Sequence, residues 1–372
     1  MKKITDLTSL RGTRVIIRAS LNIPLDKTGE IRNAFRLTRA LATLRYLHEH
    51  GAKTIIISHI GRGAEDTLKP IFTALEKHFP IHWGGPVTGL EFGERAALIT
   101  EGSFLMAENL RQDDREEAND IELAHIIANY GELYVNDAFA EAHREHASLS
   151  ALATLLPAYA GLTLLEEVTE LQKVMVPKHP SLFMLGGAKF ETKMPLVEKY
   201  LDVYDHVFVG GALANDVFKA KGYEVGTSLV SDVSIAGAPF LDSPKLVLPI
   251  DVIVEGLQGT RTCHPIEVKA DEKIYDCGPK TTELLATHIK EAATVLWNGP
   301  FGNYEAGYKA STEATMRHLA ESKAFSVVGG GDTVAAIEEL GLNDHIGFVS
   351  IGGGAMLTYL EHGSTPVLDL LN

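Results

Sequence analysis

Short β-branched and apolar runs recur along the chain, separated by stretches whose apolar residues fall at helical spacing. The runs that predict strands are Val15–Ile17, Thr54–Ile57, Phe104–Met106 and Leu133–Val135 in the first half. Leu182–Leu185, Val207–Val209, Thr294–Trp297, Ser326–Val328 and Gly347–Val349 follow in the second. Between the first two runs, Phe35, Leu37, Leu41, Leu44 and Leu47 share one helix face. Strands alternating with helices predict an α/β chain with parallel sheets assembled from βα units.

The pattern breaks near residues 155–180, in LLPAYAGLTLLEEVTELQKVMVPKHP. It reads as a break, a helix from about Leu162 to Val176, then Pro177 and Pro180. A helix there can link two lobes and carry a hinge, and 372 residues is long for one core. The expected fold is therefore two open parallel-sheet, Rossmann-like domains joined by a linking helix. Ligands of such sheets sit beyond the strand C-termini.

Charge narrows the partners. Lysine and arginine total 34 and aspartate and glutamate 49, a formal net charge of −15. A chain this acidic is a poor fit to nucleic acid or to an anionic membrane, although a local basic pocket remains open to it. Only Cys263 and Cys277 are present, without CxxC spacing, which predicts no disulfide framework and suits a reducing, cytoplasmic setting. The opening MKKITDLTSLRGTRVIIRAS lacks the apolar run of a signal peptide, and no stretch approaches 18 apolar residues.

Arginines stand at the predicted strand ends. Arg18-Ala19-Ser20-Leu21-Asn22 ends the first strand and His59-Ile60-Gly61-Arg62 the second. Asn109-Leu110-Arg111 follows the third, Arg144 lies after the fourth, and Arg36 opens the first helix. Guanidinium groups pair in plane with carboxylate and phosphate oxygens. A surface ion pair is the common lot of one arginine; five at equivalent places point to an anion pocket.

The second half carries glycine runs instead. Gly186-Gly187-Ala188-Lys189, Gly329-Gly330-Gly331-Asp332-Thr333 and Gly352-Gly353-Gly354 each follow a predicted strand. Glycine lets phosphate approach the backbone, and helix N-terminal amides bind the anion. Lys189 and Lys193 would add charge, and Asp332 would face a Mg²⁺ ion on the phosphates. One such run is as readily a tight turn; three at strand-to-helix junctions favour a phosphate site. No GxxxxGK[ST], GxGxxG or GxSxG occurs, which removes the P-loop, dinucleotide and hydrolase-elbow readings. His78 and His82 flank Pro80, which breaks the helix a zinc pair would need, and His143 and His146 lack an obvious third ligand.

VLWNGPFGNYE at 295–305, GGGDTVAAI at 329–337, SIGGGAML at 350–357, GGAKFETKMPLV at 186–197 and NDAFAEAHREHAS at 136–148 resemble phosphoglycerate kinase, in that family's order. RASLNIP, SHIGRG and ENLRQ add weaker matches, so the resemblance runs from about residue 10 to the C-terminus. It implies a substrate domain at 1–160, a linking helix at 161–177, a nucleotide domain at 178–355, and a segment at 356–372 packing back on the first domain. It further implies a cytoplasmic monomer that converts 3-phosphoglycerate and ATP to 1,3-bisphosphoglycerate and ADP, reversibly, with Mg²⁺. By motif, Ser20, Leu21, Asn22, Arg36, His59, Ile60, Gly61, Arg62, Arg111 and Arg144 would hold phosphoglycerate. Lys193, Asn298, Glu305, Gly330, Gly331, Asp332 and Thr333 would hold the nucleotide, with Asp332 on the metal. Arg36, Lys189 and the amides near Gly353 would surround the phosphoryl group in flight.

The chain departs from the family pattern in places. Ser20 stands where the family has the aspartate of RADLN, which would accept a bond from a substrate hydroxyl; restoring aspartate there is expected to tighten the substrate, the rival reading being that Glu141 already supplies that acceptor. Glu141 replaces threonine in GTAHR, Ile351 the threonine of STGGGA, and Gly63 the proline after HLGR; Gly210-Gly211-Ala212 is one glycine short. The alternative reading is a non-catalytic or altered-substrate two-lobe protein that closes on phosphometabolites. It would keep the arginines but has no need of Lys189 together with Asp332 and Asn298.

Overall fold

The computed structural model describes residues 1–372 except Lys27, Arg32, Asn33 and Lys189, and the side chains of Glu191 and Thr192. The chain divides into two compact units, Met1–Val168 with His362–Asn372, and Thr169–Glu361. The division falls inside the helix Leu162–Met175.

The first unit holds a six-stranded sheet. Its strands are β1 (Arg14–Ala19), β2 (Lys53–Ile57), β3 (Ile81–Gly85), β4 (Phe104–Ala107), β5 (Leu133–Asp137) and β6 (Ala158–Ala160). They lie in the order β3-β4-β2-β1-β5-β6, every neighbouring pair parallel. The Phe35–Glu49 helix buries Leu37, Leu41, Leu44 and Leu47 against the same cluster that takes Val15, Ile17 and Ile56. The helical spacing of those leucines becomes packing on the sheet face. The C-terminal residues complete this unit: Val367 N donates to Ala142 O, and Lys2 N to Leu371 O.

The second unit repeats the scheme with β7 (Ser181–Leu185), β8 (His206–Val209) and β9 (Leu246–Val247). An antiparallel sheet follows, β10 (Val252–Gly256), β11 (Gly259–Cys263) and β12 (Lys273–Cys277), then β13 (Thr294–Asn298), β14 (Phe325–Gly329) and β15 (Phe348–Val349). The large sheet runs β15-β14-β13-β7-β8-β9, all parallel, which is the doubly wound order that reverses between its first and fourth strands. Both strands at that reversal, β7 and β13, are buried along their whole length, as central parallel strands are.

Every strand expected from the sequence is present. Those it passed over are β3, β6, β9 and the β10–β12 sheet. The first three lie at sheet edges, where short segments lack a long apolar run. Cys263 and Cys277 are free and buried. Among the described residues no helix is long and apolar enough to cross a membrane.

Candidate active site

The order of the first sheet reverses at β1, so a crevice opens between the carboxyl ends of β1 and β5. The arginines expected there do not act alike. Arg18 is wholly buried and its donors are spent inside: Nε on Ser148 Oγ (3.0 Å), Nη1 on Ala19 O (2.7 Å) and Ser58 Oγ (3.3 Å), and Nη2 on His59 Nδ1 (2.8 Å). It organises the pocket from behind. Ser148 in turn donates to the buried Glu116, from Oγ at 2.6 Å and N at 2.9 Å. The sequence hid this network because its members lie far apart along the chain.

Arg18 also fixes the chemistry of His59. A guanidinium only donates, so His59 Nδ1 accepts, and the ring carries its proton on Nε2. Burial, then the fields of Arg18, Arg111 and Arg144, push this imidazole far below the usual histidine range. His59 is thus a neutral donor, and its buried Nε2 has no partner among the described residues. An unpaired buried N–H is what an incoming anion oxygen would satisfy.

The neighbouring loops are tied together by backbone. Gly61 adopts φ +65°, gives its N–H to Asn22 Oδ1 (3.0 Å), and turns its carbonyl to Arg111 Nη1. Buried Ile60 is held by Asn109, which accepts from Ile60 N at 3.2 Å and donates to Ile60 O at 3.0 Å. Arg36 Nη1 reaches Asn22 O at 3.3 Å from the first turn of its helix. Arg111 is half-buried beside Glu117 (3.0 Å), Arg144 is half-buried beside His143, and Arg62 is exposed. Leu21 is buried next to Ser20, whose Oγ donates to Glu141 Oε2 at 2.9 Å.

In the second unit the reversal lies between β7 and β13, and the glycine loops meet there. Gly186 N bonds Asn298 O at 2.9 Å, and Gly187 N bonds Pro300 O at 2.8 Å. Lys193 is buried with its ammonium on Gly186 O. Glycine is required around it: Cβ atoms built on Gly187 and Gly299 would come within 2.8 and 2.9 Å of Lys193 Nζ, and both residues have positive φ. Trp297 packs flat on Phe301 (4.7 Å) and donates from Nε1 to Gly299 O, so the WNGP segment holds its own turn.

The glycine run after β14 continues the site. Gly330 caps the Gly331–Glu339 helix, and Thr333 Oγ1 accepts from Gly299 N at 3.1 Å, joining that helix start to the end of β13. Asp332 stands in the first turn, where burial and then Glu305 raise its pKa while Lys193 lowers it. Asn298 is buried, with Nδ2 toward Met356 Sδ at 3.7 Å. Gly353 precedes the Gly354–His362 helix with φ +50°. Lys189 lies outside the described residues.

A cavity of about 550 Å³ opens at this junction, lined among others by Gly187, Gly211, Phe218, Tyr275, Glu305 and Asp332. Tyr275 stacks on Tyr308 at 4.3 Å. Buried Asp276 on the same wall, pushed up to about 6 by burial, accepts from Ser311 N at 3.3 Å. Glu305, Asp332 and the loop after β7 belong to the motifs; the wall from Tyr275 to Cys277 comes from the antiparallel sheet and was missed. No grouping of three or more metal-ligating side chains exists among the described residues.

The phosphoglycerate kinase family model matches residues 4–363. The chain belongs to the phosphoglycerate kinase family. The phosphoglycerate kinase of Rubrobacter xylanophilus is 41% identical, over 100% of this chain and 98% of the relative. That of Herpetosiphon aurantiacus is 38% identical over 97% and 96%. Among solved structures, phosphoglycerate kinase from Coxiella burnetii has a TM-score of 0.82 at 34% identity, covering 99% of this chain and 97% of the other. The enzyme from Pyrococcus horikoshii has a TM-score of 0.89 at 28% identity, covering 100% and 98%. As a phosphoglycerate kinase family member the chain is an enzyme, an ATP-dependent phosphotransferase of glycolysis.

Proposed function

We propose that the chain moves a phosphoryl group reversibly between ATP and the carboxylate of 3-phosphoglycerate, giving ADP and 1,3-bisphosphoglycerate. The observation that carries this reading is a pair of complementary sites in one chain. A rim of cationic and N–H donors stands at the strand ends of one sheet, and a cavity lined by Gly187 and Gly211 opens beside the buried Lys193 in the other.

The substrate carboxylate oxygen attacks the γ-phosphorus. The new P–O bond forms as the bond to the β,γ-bridging oxygen breaks, and ADP leaves with the electron pair. No proton moves, so no general base is needed; alignment and charge on the equatorial oxygens suffice. Arg36, Lys189 and the backbone at Gly353 share that charge. Asn22, His59, Arg62, Arg111 and Arg144, with the Ser20–Leu21 and Ile60–Gly61 backbone, hold the glycerate. Lys193, Asn298, Gly330, Gly331 and Thr333 face the nucleotide phosphates, and Glu305 the ribose.

Asp332 fits a Mg²⁺ ion. It stands in the first turn of the Gly331–Glu339 helix on the cavity wall, and a lone carboxylate plus substrate phosphates is an ordinary Mg²⁺ environment. The ion would neutralise charge on the β,γ-oxygens. The chain works as a cytoplasmic monomer.

A coupled assay with 3-phosphoglycerate and MgATP tests this directly, and absence of turnover refutes it. Arg36→Ala should lower kcat by an amount matching the ~2.7–4 kcal/mol lost with one transition-state donor, while KM changes little. Unchanged turnover at saturation removes Arg36 from the transfer step.

A further inference from the structure

Ser20 follows β1, and Glu141 ends the short turn Phe139–Glu141 that follows β5. Their hydrogen bond therefore spans the switch point of the first sheet. Glu141 is 3% exposed, yet it has no ion pair among the described residues. Buried carboxylates are normally paired. Its Oε2 is taken by Ser20, while Oε1 has no hydrogen-bond partner among the described residues and is not sealed from solvent. The charge of Glu141 is felt at Arg111 and His143, so its carboxylate lies close to the cationic rim.

Almost everything else on that rim donates: the arginines and His59 Nε2–H. Asn22 Oδ1 already receives Gly61 N, Asp66 Oδ2 receives Arg62 N and Gly63 N, and Glu117 sits on Arg111. Phosphoglycerate brings a carboxylate and a phosphate, which suit donors, and a C2 hydroxyl, which needs an acceptor.

We propose that Glu141 Oε1 accepts the hydrogen bond of the substrate's C2 hydroxyl and that Ser20 is the positioning residue that aims the carboxylate. Glu141 thereby selects a 2-hydroxy acid. The assignment rests on the phosphoglycerate reading above. It also accounts for the paired departures at positions 20 and 141: the carboxylate has crossed from the end of β1 to the turn after β5. The expectation that Ser20→Asp tightens binding is reversed by this contact, because the new carboxylate would face Glu141 in a buried site.

The test is calorimetric binding of 3-phosphoglycerate and of its 2-deoxy analogue, 3-phosphonooxypropanoate, to the full chain. The native chain should prefer the hydroxylated ligand by about tenfold or more, the fold-change of one charge-assisted bond. Glu141→Met should erase that preference while the analogue still binds. Ser20→Asp should weaken 3-phosphoglycerate, and Ser20→Asp with Glu141→Thr should restore the preference with the acceptor on the other side. Equal weakening of both ligands by Glu141→Met, or no rescue in the double variant, overturns the assignment alone. Failure of the native chain to bind 3-phosphoglycerate overturns the activity as well.

Discussion

Arg18→Met removes a charge that never meets solvent, and the structure says which neighbours suffer. Methionine fills much of the space but replaces none of the donors on Ser148, Ala19, Ser58 and His59. Ser58 Oγ keeps Ala19 O at 2.7 Å, and Ser148 Oγ keeps Glu116. His59 Nδ1 loses its partner, at a cost of about 1–3 kcal/mol for an unsatisfied buried group. Buried Glu116 loses the nearby cation, and breaking a buried charge network by one member typically costs ~3–5 kcal/mol in all. For a unit of this size that lowers Tm by about 10 °C. Thermal unfolding gives the first readout. Nitrogen-15 NMR of the imidazoles gives the second: His59 should be Nε2-protonated in the native chain and should lose that fixed tautomer in the variant. Binding of 3-phosphoglycerate should weaken in parallel. A variant that melts with the native chain and keeps its His59 tautomer would refute the view of Arg18 as the organiser of the pocket.

Two further perturbations test other parts of the molecule. Gly299→Ala sets a Cβ 2.5 Å from Gly186 O at φ +88°, so it should cost at least the ~1–2 kcal/mol of left-handed strain and weaken MgATP binding by displacing Lys193; an unaltered nucleotide Kd by calorimetry contradicts this. Asp137, buried with Oδ2 unpartnered, has its pKa pushed up to about 6 from an ordinary 3.8, so the native state holds a proton that the unfolded chain has released. Stability from this group is therefore present at low pH and lost as pH rises towards about 6 and beyond. Asp137→Asn should gain relative to the native chain between pH 4 and 7.5, by no more than about 3 kcal/mol for two units, and urea unfolding with equal pH slopes in both proteins would exclude it.

The chain announced its architecture because parallel strands buried on both faces must be apolar throughout, as Ser181–Leu185 and Thr294–Asn298 nearly are. The glycine loops were legible for a similar reason, since backbone that closes on Lys193 leaves room for nothing larger. Arginine was less informative. Arg18 and Arg144 look equivalent in sequence, but one points its donors into the protein core and the other stands on the rim. Glu141 stood out as a departure from pattern and as a rival acceptor to an aspartate at position 20, but its contact with Ser20 requires the turn after β5 to come within reach of β1, 121 residues away. The Tyr275–Cys277 wall was hidden because its antiparallel edge strand, Lys273–Cys277, places charged residues among its apolar ones and carries no long apolar run.

The return of His362–Asn372 to the first unit sets an order on biosynthesis. Val367 and Leu371 are buried there, and Val367 N bonds the carbonyl of Ala142, next to Glu141. A ribosome that has finished the first sheet therefore still lacks the segment that braces the turn after β5, and it must make the whole second unit first. The turn that carries Glu141 gains this brace only after the second unit has been made.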